Sequence, residues 1–455
     1  MPAPVPPPPS PTPTPTPTPS DVAENAPAGE INPAEESAPE TTVSGAGHRL
    51  RITLLMAGSC LPILGAVLIA PVLPQMRDHF AGTPGVDALV PMALTIPALS
   101  LALLAPFAGV VVDRLGRRRL LVVATVLYAL FGTAPLWLDS LGAIVASRAL
   151  VGVVEAAIMT CCTTLIGDHY SGRQRDRYLA LQTMCASVSA TAFFALGGAA
   201  GSAGWRTPFW AYAVSLLLAP AMAAALRGPR PSEPTTPLEA TAPASSVGTA
   251  PAGATRRAFP WRPLAGTCAL TVFGALLFYT VQVELSFLLD DMGVTDPGMI
   301  GLASAVSSAA VVAGAVTFAK SGRGPESWLP FVFGLCAAGF AVIWFAPNPV
   351  VLTVGAVINC LGGGIMLPSL LTLAMSRLDY ADRGRGTGLW TGSFFIGQFV
   401  CPLVVLALAS AVGGLTNAMG VLAAVGAAGA VGLALSAHRR RARSASAAPI
   451  PRPTA

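Results

Sequence analysis

The sequence predicts an all-α membrane protein with twelve transmembrane helices in two six-helix bundles. Three observations predict it. Hydrophobic residues make up 53% of the chain and charged residues 11%, whereas a soluble domain carries roughly 25% charged residues. Mean hydropathy is +0.65. Apolar runs of about 20 residues, each long enough to cross a bilayer, recur in two sets of six, and a polar stretch rich in Pro, Ala, Thr and Ser from Gly228 to Pro260 separates the sets.

Residues 1–47 are Pro, Thr, Ala and Glu with almost no large apolar side chain. Their PTPTPTPTP repeat favours extended polyproline conformations, so a disordered cytoplasmic tail is expected, with partner binding an open possibility. No basic-then-apolar start suggests a signal peptide. The first bundle is expected over 48–227, with apolar runs near 52–76, 88–112, 119–138, 141–166, 178–200 and 207–226. A flexible cytoplasmic linker follows over 228–260. The second bundle is expected over 261–438, with runs near 262–289, 297–319, 327–346, 349–374, 385–411 and 415–437. A basic cytoplasmic tail closes the chain over 439–455.

Charge placement orients these runs. The arginines and the single lysine cluster before the first run, at Arg114–Arg119, at Arg173–Arg177, in the linker, at Lys320 and Arg323, at Arg377–Arg385 and in the tail. The intervening loops carry Asp78, Asp87, Asp139, Asp290, Asp291 and Asp296, with only Arg77 and Arg206 as basic residues. By the positive-inside rule, both termini and the linker belong in the cytoplasm of a multi-pass protein of the plasma or inner membrane. Trp137, Trp205, Trp210, Trp261, Trp328 and Trp344 lie near the ends of runs, as interfacial anchors do.

Several functions are disfavoured. The net charge of +5 comes from short arginine clusters between apolar runs, so no nucleic-acid partner is expected. The eight cysteines lie inside apolar runs without zinc-ligand spacing and read as small packing residues. His48, His79, His169 and His438 lie outside the runs, which argues against a buried histidine relay. No cofactor is expected. No paired carboxylates, metal cluster or Ser-His arrangement falls at membrane depth, which weighs against a membrane-embedded enzyme.

The most specific motif is GVVVDRLGRRR, Gly109 to Arg119. Gly109 lets a neighbouring helix approach. Asp113 sits at the water boundary, where it can pair with Arg114, Arg117 or a donor on another helix. Gly109, Asp113, Arg114, Gly116 and Arg117 fall at the spacing G-x-x-x-D-R-x-G-R, which resembles the loop between helices 2 and 3 of the major facilitator superfamily. A weaker echo lies in the second half. Ala315, Lys320, Gly322 and Arg323 match Gly109, Arg114, Gly116 and Arg117 at a constant offset, with Ala319 in place of Asp113. Ile365-Met366 echoes Ile158-Met159 at nearly the same offset. The resemblance implies the major facilitator fold, in which repeated halves rock about a midplane cavity.

Other segments add to it. Leu64 to Pro74, LGAVLIAPVLP, resembles the L-G-x5-P-V-x-P pattern of the drug-exporter branch, and Pro71 and Pro74 are expected to bend the outer end of the first helix. Arg148 and Glu155 lie seven residues apart within the fourth run, so they share a face. Arg148 with Gly152 resembles the R-x-x-x-G core of the family's helix-4 motif. A charge in hydrocarbon costs several kcal/mol unless it meets water or a partner, so this face is expected to line the cavity. Glu155, the one carboxylate near the midplane of a run, is the expected proton carrier; a permanent Arg148–Glu155 ion pair is the alternative. In the fifth run, Phe193 and Phe194 stand where the antiporter pattern G-x-x-x-G-P-x-x-G-G has Gly-Pro. Gly204-Trp205-Arg206 resembles the family's usual start of helix 6. Tyr279, Gln282 and Glu284 in the seventh run and Asn359 in the tenth are candidate substrate contacts, although Glu284 points away from the face of Tyr279 and Gln282. Gly362–Gly364 permit close packing or local unwinding.

The resemblance implies a monomeric secondary transporter in the lipid bilayer, with a small-molecule substrate and protons as partners. Proton-coupled efflux of a small hydrophobic or amphipathic molecule by antiport is the leading expectation. Proton-coupled uptake of a small metabolite is the rival within transport. A membrane-embedded enzyme or a transport-inactive sensor are the rivals outside it.

Overall fold

The computed structural model describes residues 45–226, 261–378 and 382–446. Within them it describes every side chain except those of residues 45–46, 108–110, 113, 261–263, 383–384 and 440–446. The expected Pro/Thr-rich tail, the linker and the side chains of Gly109 and Asp113 therefore lie outside the described residues.

Among the described residues, twelve spans are long and apolar enough to cross a membrane. The first six are α1 (Gly47–His79), α2 (Val86–Leu104), α3 (Arg117–Leu136), α4 (Leu141–His169), α5 (Gly172–Gly201) and α6 (Thr207–Ala225). The second six are α7 (Leu264–Asp291), α8 (Pro297–Ser321), α9 (Pro325–Trp344), α10 (Pro349–Ser376), α11 (Arg385–Val412) and α12 (Leu415–Arg439). One apolar core draws mainly on α1 to α6, with Leu55, Leu68, Tyr128, Ile144 and Phe209 fully buried. A second draws on α7 to α12, around Phe333, Phe340, Met366 and Met419.

Prolines set the interruptions. In α1 the α-helix ends at Val67, and a turn of 3-10 helix at Ala70–Val72 precedes a resumed helix at Leu73–His79. Pro71 sits inside that turn and Pro74 in the first turn of the resumed helix, a position that needs no proline N–H. The second run stops short of the expected residue 112. Its helix ends at Leu104, because Pro106 has no N–H to give the Ala102 carbonyl. A separate short helix, Ala108–Leu115, then carries the motif residues. Gly116, at φ +81°, turns the chain into α3. Gly322, its counterpart in the second half, also has positive φ, at +59°. Two other runs exceed their expected limits. The helix of α5 starts at Gly172, and that of α12 continues through the arginines to Ser446.

The two bundles meet through glycine. A Cβ on Gly198 of α5 would lie 2.5 Å from the Pro297 carbonyl oxygen and 2.7 Å from the Gly301 Cα of α8. Only glycine allows backbones to come so near. On the other seam, a Cβ on Gly392 of α11 would lie 3.3 Å from the Ala102 carbonyl oxygen of α2. At the acidic end of the molecule, Arg77 of α1 pairs with Asp290 of α7 at 2.8 Å.

Candidate functional site

The polar centre of the first bundle forms around Gly65. The helix break after Val67 leaves carbonyls in the preceding turn without their usual partners. In α2, Pro97 stands four residues after Ala93 and has no N–H for that carbonyl. Arg148 of α4 answers both needs. Its Nη2 donates to the Gly65 carbonyl at 2.7 Å and its Nε to the Ala93 carbonyl at 3.3 Å. Its guanidinium lies 5.1 Å over the ring of Tyr212 in α6, a favourable cation–π placement. Tyr128 of α3 donates to the Leu61 carbonyl at 2.6 Å. Arg148 is fully buried. It thus braces α1, α2 and α6 from within the bundle and does not face the central cavity, contrary to the expectation from the sequence. The helix ends and the proline that create its acceptors all lie inside the bundle.

Glu155 shares this interior. It is 1% exposed. Its Oε1 lies 1.8 Å from where a Cβ on Gly65 would stand, so Gly65 makes room for the carboxyl group. That Oε1 and Arg148 Nη1 are both buried without a hydrogen-bond partner among the described residues. No ion pair joins the two side chains among those described, because Arg148 turns to the carbonyls instead. The carboxyl group sits unbraced against the bend of α1.

A central cavity of about 110 Å³ lies between the bundles. Its walls include Leu94, Phe194 and Phe278, and its polar groups are Ser187, Tyr279, Gln282, Ser308 and Gln398. No ionisable acid or base of the Asp, Glu, Lys, Arg or His type lines it among the described residues. Tyr279 and Gln282 are thus brought together here. Gln282 Nε2 reaches the Cys360 sulfur at 3.6 Å. The ring of Tyr279 packs edge-on to Phe394 at 5.4 Å. Gln398 of α11 escaped the sequence reading. It is 4% exposed and its Oε1 has no partner among the described residues. A lone amide deep in an apolar run was the signal available.

The other two candidates lie elsewhere. Glu284 lines a separate pocket at the acidic end with Arg77, Asp87 and Asp291. Asn359 is fully buried inside the second bundle, its Nδ2 placed toward the Cys336 and Leu277 carbonyls at 3.4 and 3.5 Å. It fastens α10 to α9 and α7, and does not line the central cavity. Gly362–Gly364 serve close packing, since α10 runs unbroken as helix from Pro349 to Ser376. A Cβ on Gly364 would lie 2.1 Å from the Val311 carbonyl oxygen.

At the arginine-rich end, Arg117 forms an ion pair with Asp168 at the end of α4. Arg118 donates to the Ala223 carbonyl of α6, and Arg114 is exposed. The loop between α2 and α3 is therefore tied to two other helices, one of them through a carboxylate the sequence reading did not name. If this tie steadies one state of the molecule without meeting substrate, Asp168→Asn should slow transport several-fold and leave substrate affinity nearly unchanged; the same is expected of Asp113→Asn from its place in the sequence motif. Initial rates against substrate concentration test this; a large affinity loss at normal turnover would place the loop in the binding site.

Among the described residues, twelve helices apolar enough to cross a membrane, packed as two cores around a small central cavity, are those of a multi-pass membrane protein. The sequence matches the family described as Major Facilitator Superfamily over residues 55–381, and the chain belongs to that family. Two relatives are drug-resistance proteins by name. The class C tetracycline resistance protein of Escherichia coli is 30% identical over 168 residues, which are 36% of this chain and 41% of that protein. Multidrug resistance protein 1 of Bacillus subtilis (strain 168) is 29% identical over 179 residues, 37% of this chain and 43% of that one. The matches thus span about two-fifths of these relatives' lengths. Among solved structures, a bacterial homologue of the human lysosomal transporter Spinster, in an inward-facing and occupied conformation, superposes with a TM-score of 0.71 at 15% identity. That likeness covers 87% of this chain and 98% of the other, and shows the fold.

Proposed function

We propose that the protein exports a small hydrophobic or amphipathic molecule in exchange for protons, by alternating exposure of the central cavity. The observation that carries this reading is Glu155, a carboxyl group buried in the first bundle that makes no ion pair or hydrogen bond with any described residue. An ionised carboxylate in hydrocarbon costs several kcal/mol unless water or a cation reaches it. A group placed so, against the bend of α1, is suited to take a proton in one conformation and release it in another. The cavity supports the choice of cargo: its walls are apolar with a few neutral hydrogen-bonding groups, a lining suited to neutral or weakly polar ligands. Export rather than uptake is supported by the likeness to proteins named for resistance to tetracycline and to multiple drugs, since moving a toxic compound out of the cell confers resistance to it. The Gly109–Arg117 loop acts as a gate in this reading, and Tyr279, Gln282 and Gln398 meet the substrate.

Proteoliposomes loaded with substrate test it. Flux against the substrate gradient should appear only when a proton gradient of the opposite direction is imposed. Accumulation that follows protons in the same direction would assign uptake, and indifference to the gradient would remove coupling altogether.

The same reading places both termini and the linker in the cytoplasm, from the arginine clusters. In intact cells, cysteines at Ser232 and Ser446 should resist a membrane-impermeant thiol reagent, and a cysteine at Asp291 should react. Labelling of Ser232→Cys and Ser446→Cys from outside would reverse the orientation.

A further inference from the structure

The pocket at the acidic end is distinct from the central cavity and has a chemistry of its own. It encloses about 150 Å³. Four charged side chains line it: Arg77 of α1, Asp87 of α2, and Glu284 and Asp291 of α7. Arg77 is already committed. It pairs with Asp290, outside the lining, at 2.8 Å and lies 5.2 Å over the ring of Phe287. The three remaining carboxyl groups have no such answer. Asp87 and Asp291 are exposed at the mouth. Glu284 is 5% exposed, and it makes no hydrogen bond or ion pair with any described residue. The rest of the lining is apolar and includes Val405 and Leu406 of α11.

A buried carboxylate facing an apolar-walled space, with two more at the entrance, attracts a positive charge carried on an apolar body. A bare inorganic cation fits less well. Such ions are held by six to eight oxygen ligands in the case of calcium, or about six for magnesium, whereas here one carboxyl group lies at depth and the uncharged lining is hydrocarbon. We propose that this pocket binds a small organic cation of the alkylammonium type. Its charged head rests on Glu284, and its alkyl part rests against Val405 and Leu406. Asp87 and Asp291 draw it in. The site spans both bundles beside the Arg77–Asp290 pair, so an occupant there sits at the seam the bundles must open. The proposal requires neither proton coupling nor export, and it can fail while those readings stand.

The test is equilibrium binding to the purified full-length protein in nanodiscs, by calorimetry. The probes are n-butylammonium, neutral n-pentanol of the same chain shape, and sodium. Butylammonium should bind the wild type saturably, and Glu284→Gln should weaken it by at least about tenfold, because the cation then loses its buried partner. Pentanol should bind both proteins alike. The proposal is overturned if butylammonium binds Glu284→Gln as it binds the wild type, or fails to bind the wild type saturably. It is equally overturned if pentanol shows the same loss, or if sodium displaces butylammonium at equal concentration. Should Glu284→Gln not purify as a single species, the double variant of the exposed mouth, Asp87→Asn with Asp291→Asn, decides. A several-fold loss of butylammonium affinity supports the site, and unchanged affinity overturns it.

Discussion

Glu155→Gln protein, reconstituted in vesicles, is expected to carry substrate down its gradient and to lose accumulation driven by a proton gradient. The substitution keeps the size of the side chain and removes only its ability to load and release a proton. The structure separates this expectation from the structural alternative. Removing one partner of a buried ion pair typically costs about 3–5 kcal/mol. Among the described residues no ion pair joins Glu155 to Arg148, whose Nη2 and Nε donate instead to the Gly65 and Ala93 carbonyls. Stability should therefore change by no more than about 1 kcal/mol, near the centre of the usual range for a substitution. Downhill flux and a melting curve, measured on the same preparation, give the two readouts. Continued uphill accumulation with unchanged proton dependence would end the coupling role. A collapse of yield and melting temperature would restore the permanent pair.

The second large effect is expected at the glycine seam. In Gly198→Val, the new Cβ would stand 2.5 Å from the Pro297 carbonyl oxygen and 2.7 Å from the Gly301 Cα. Both are backbone atoms and cannot rotate aside. Overpacking of this kind costs about 1–3 kcal/mol, occasionally more. A conformation penalised by about 3 kcal/mol loses roughly two orders of magnitude in relative population. The penalty falls on the closed arrangement of α5 against α8 while each bundle's own core is untouched, so the protein should fold but transport poorly. A crosslink reads closure directly. A Cβ on Gly298 would lie 3.3 Å from Ser202 Oγ, so cysteines at these two positions should form a disulfide when the seam is closed. In a background without the native cysteines, that disulfide should form readily and should become rare when Gly198→Val is added. Equal crosslinking and equal transport rates in both proteins would show that the seam tolerates the extra methyl groups.

Much of the fold was written plainly in the sequence, because the bilayer imposes a simple rule. A span needs a long apolar run, and the runs are separated by charge. The twelve spans follow from that rule alone. The misjudged boundaries have local causes. Pro106 stops α2 early, inside a stretch that is apolar throughout. The helix of α12 runs on through Arg439 because arginine is a good helix former and nothing forbids continuation. The site was less legible. Periodicity places Arg148 and Glu155 on one face of α4, but it does not say which neighbour that face meets. The answer depends on carbonyls freed by Pro97 and by the break in α1, which are visible only when three helices are packed together. The same limit explains Asn359 and Gln398. Both are amides within apolar runs, and only packing shows that one fastens its own bundle while the other reaches the cavity.

Arg148 has a further consequence. Its positive charge is answered by the dipoles of two carbonyl groups and a tyrosine ring, none of which carries a formal opposite charge. The interior of the first bundle therefore bears a net charge of its own, which alternates with the state of Glu155: positive when that group is protonated, zero when it is ionised. Fields of this kind reach farther through protein and lipid than through water. If Glu155 carries the coupling proton as proposed, the potential felt in the neighbouring cavity rises and falls once per cycle without any charged group entering it. In that case a cationic cargo would be repelled when Glu155 holds its proton and tolerated when it does not, with no ligand shared between cargo and proton.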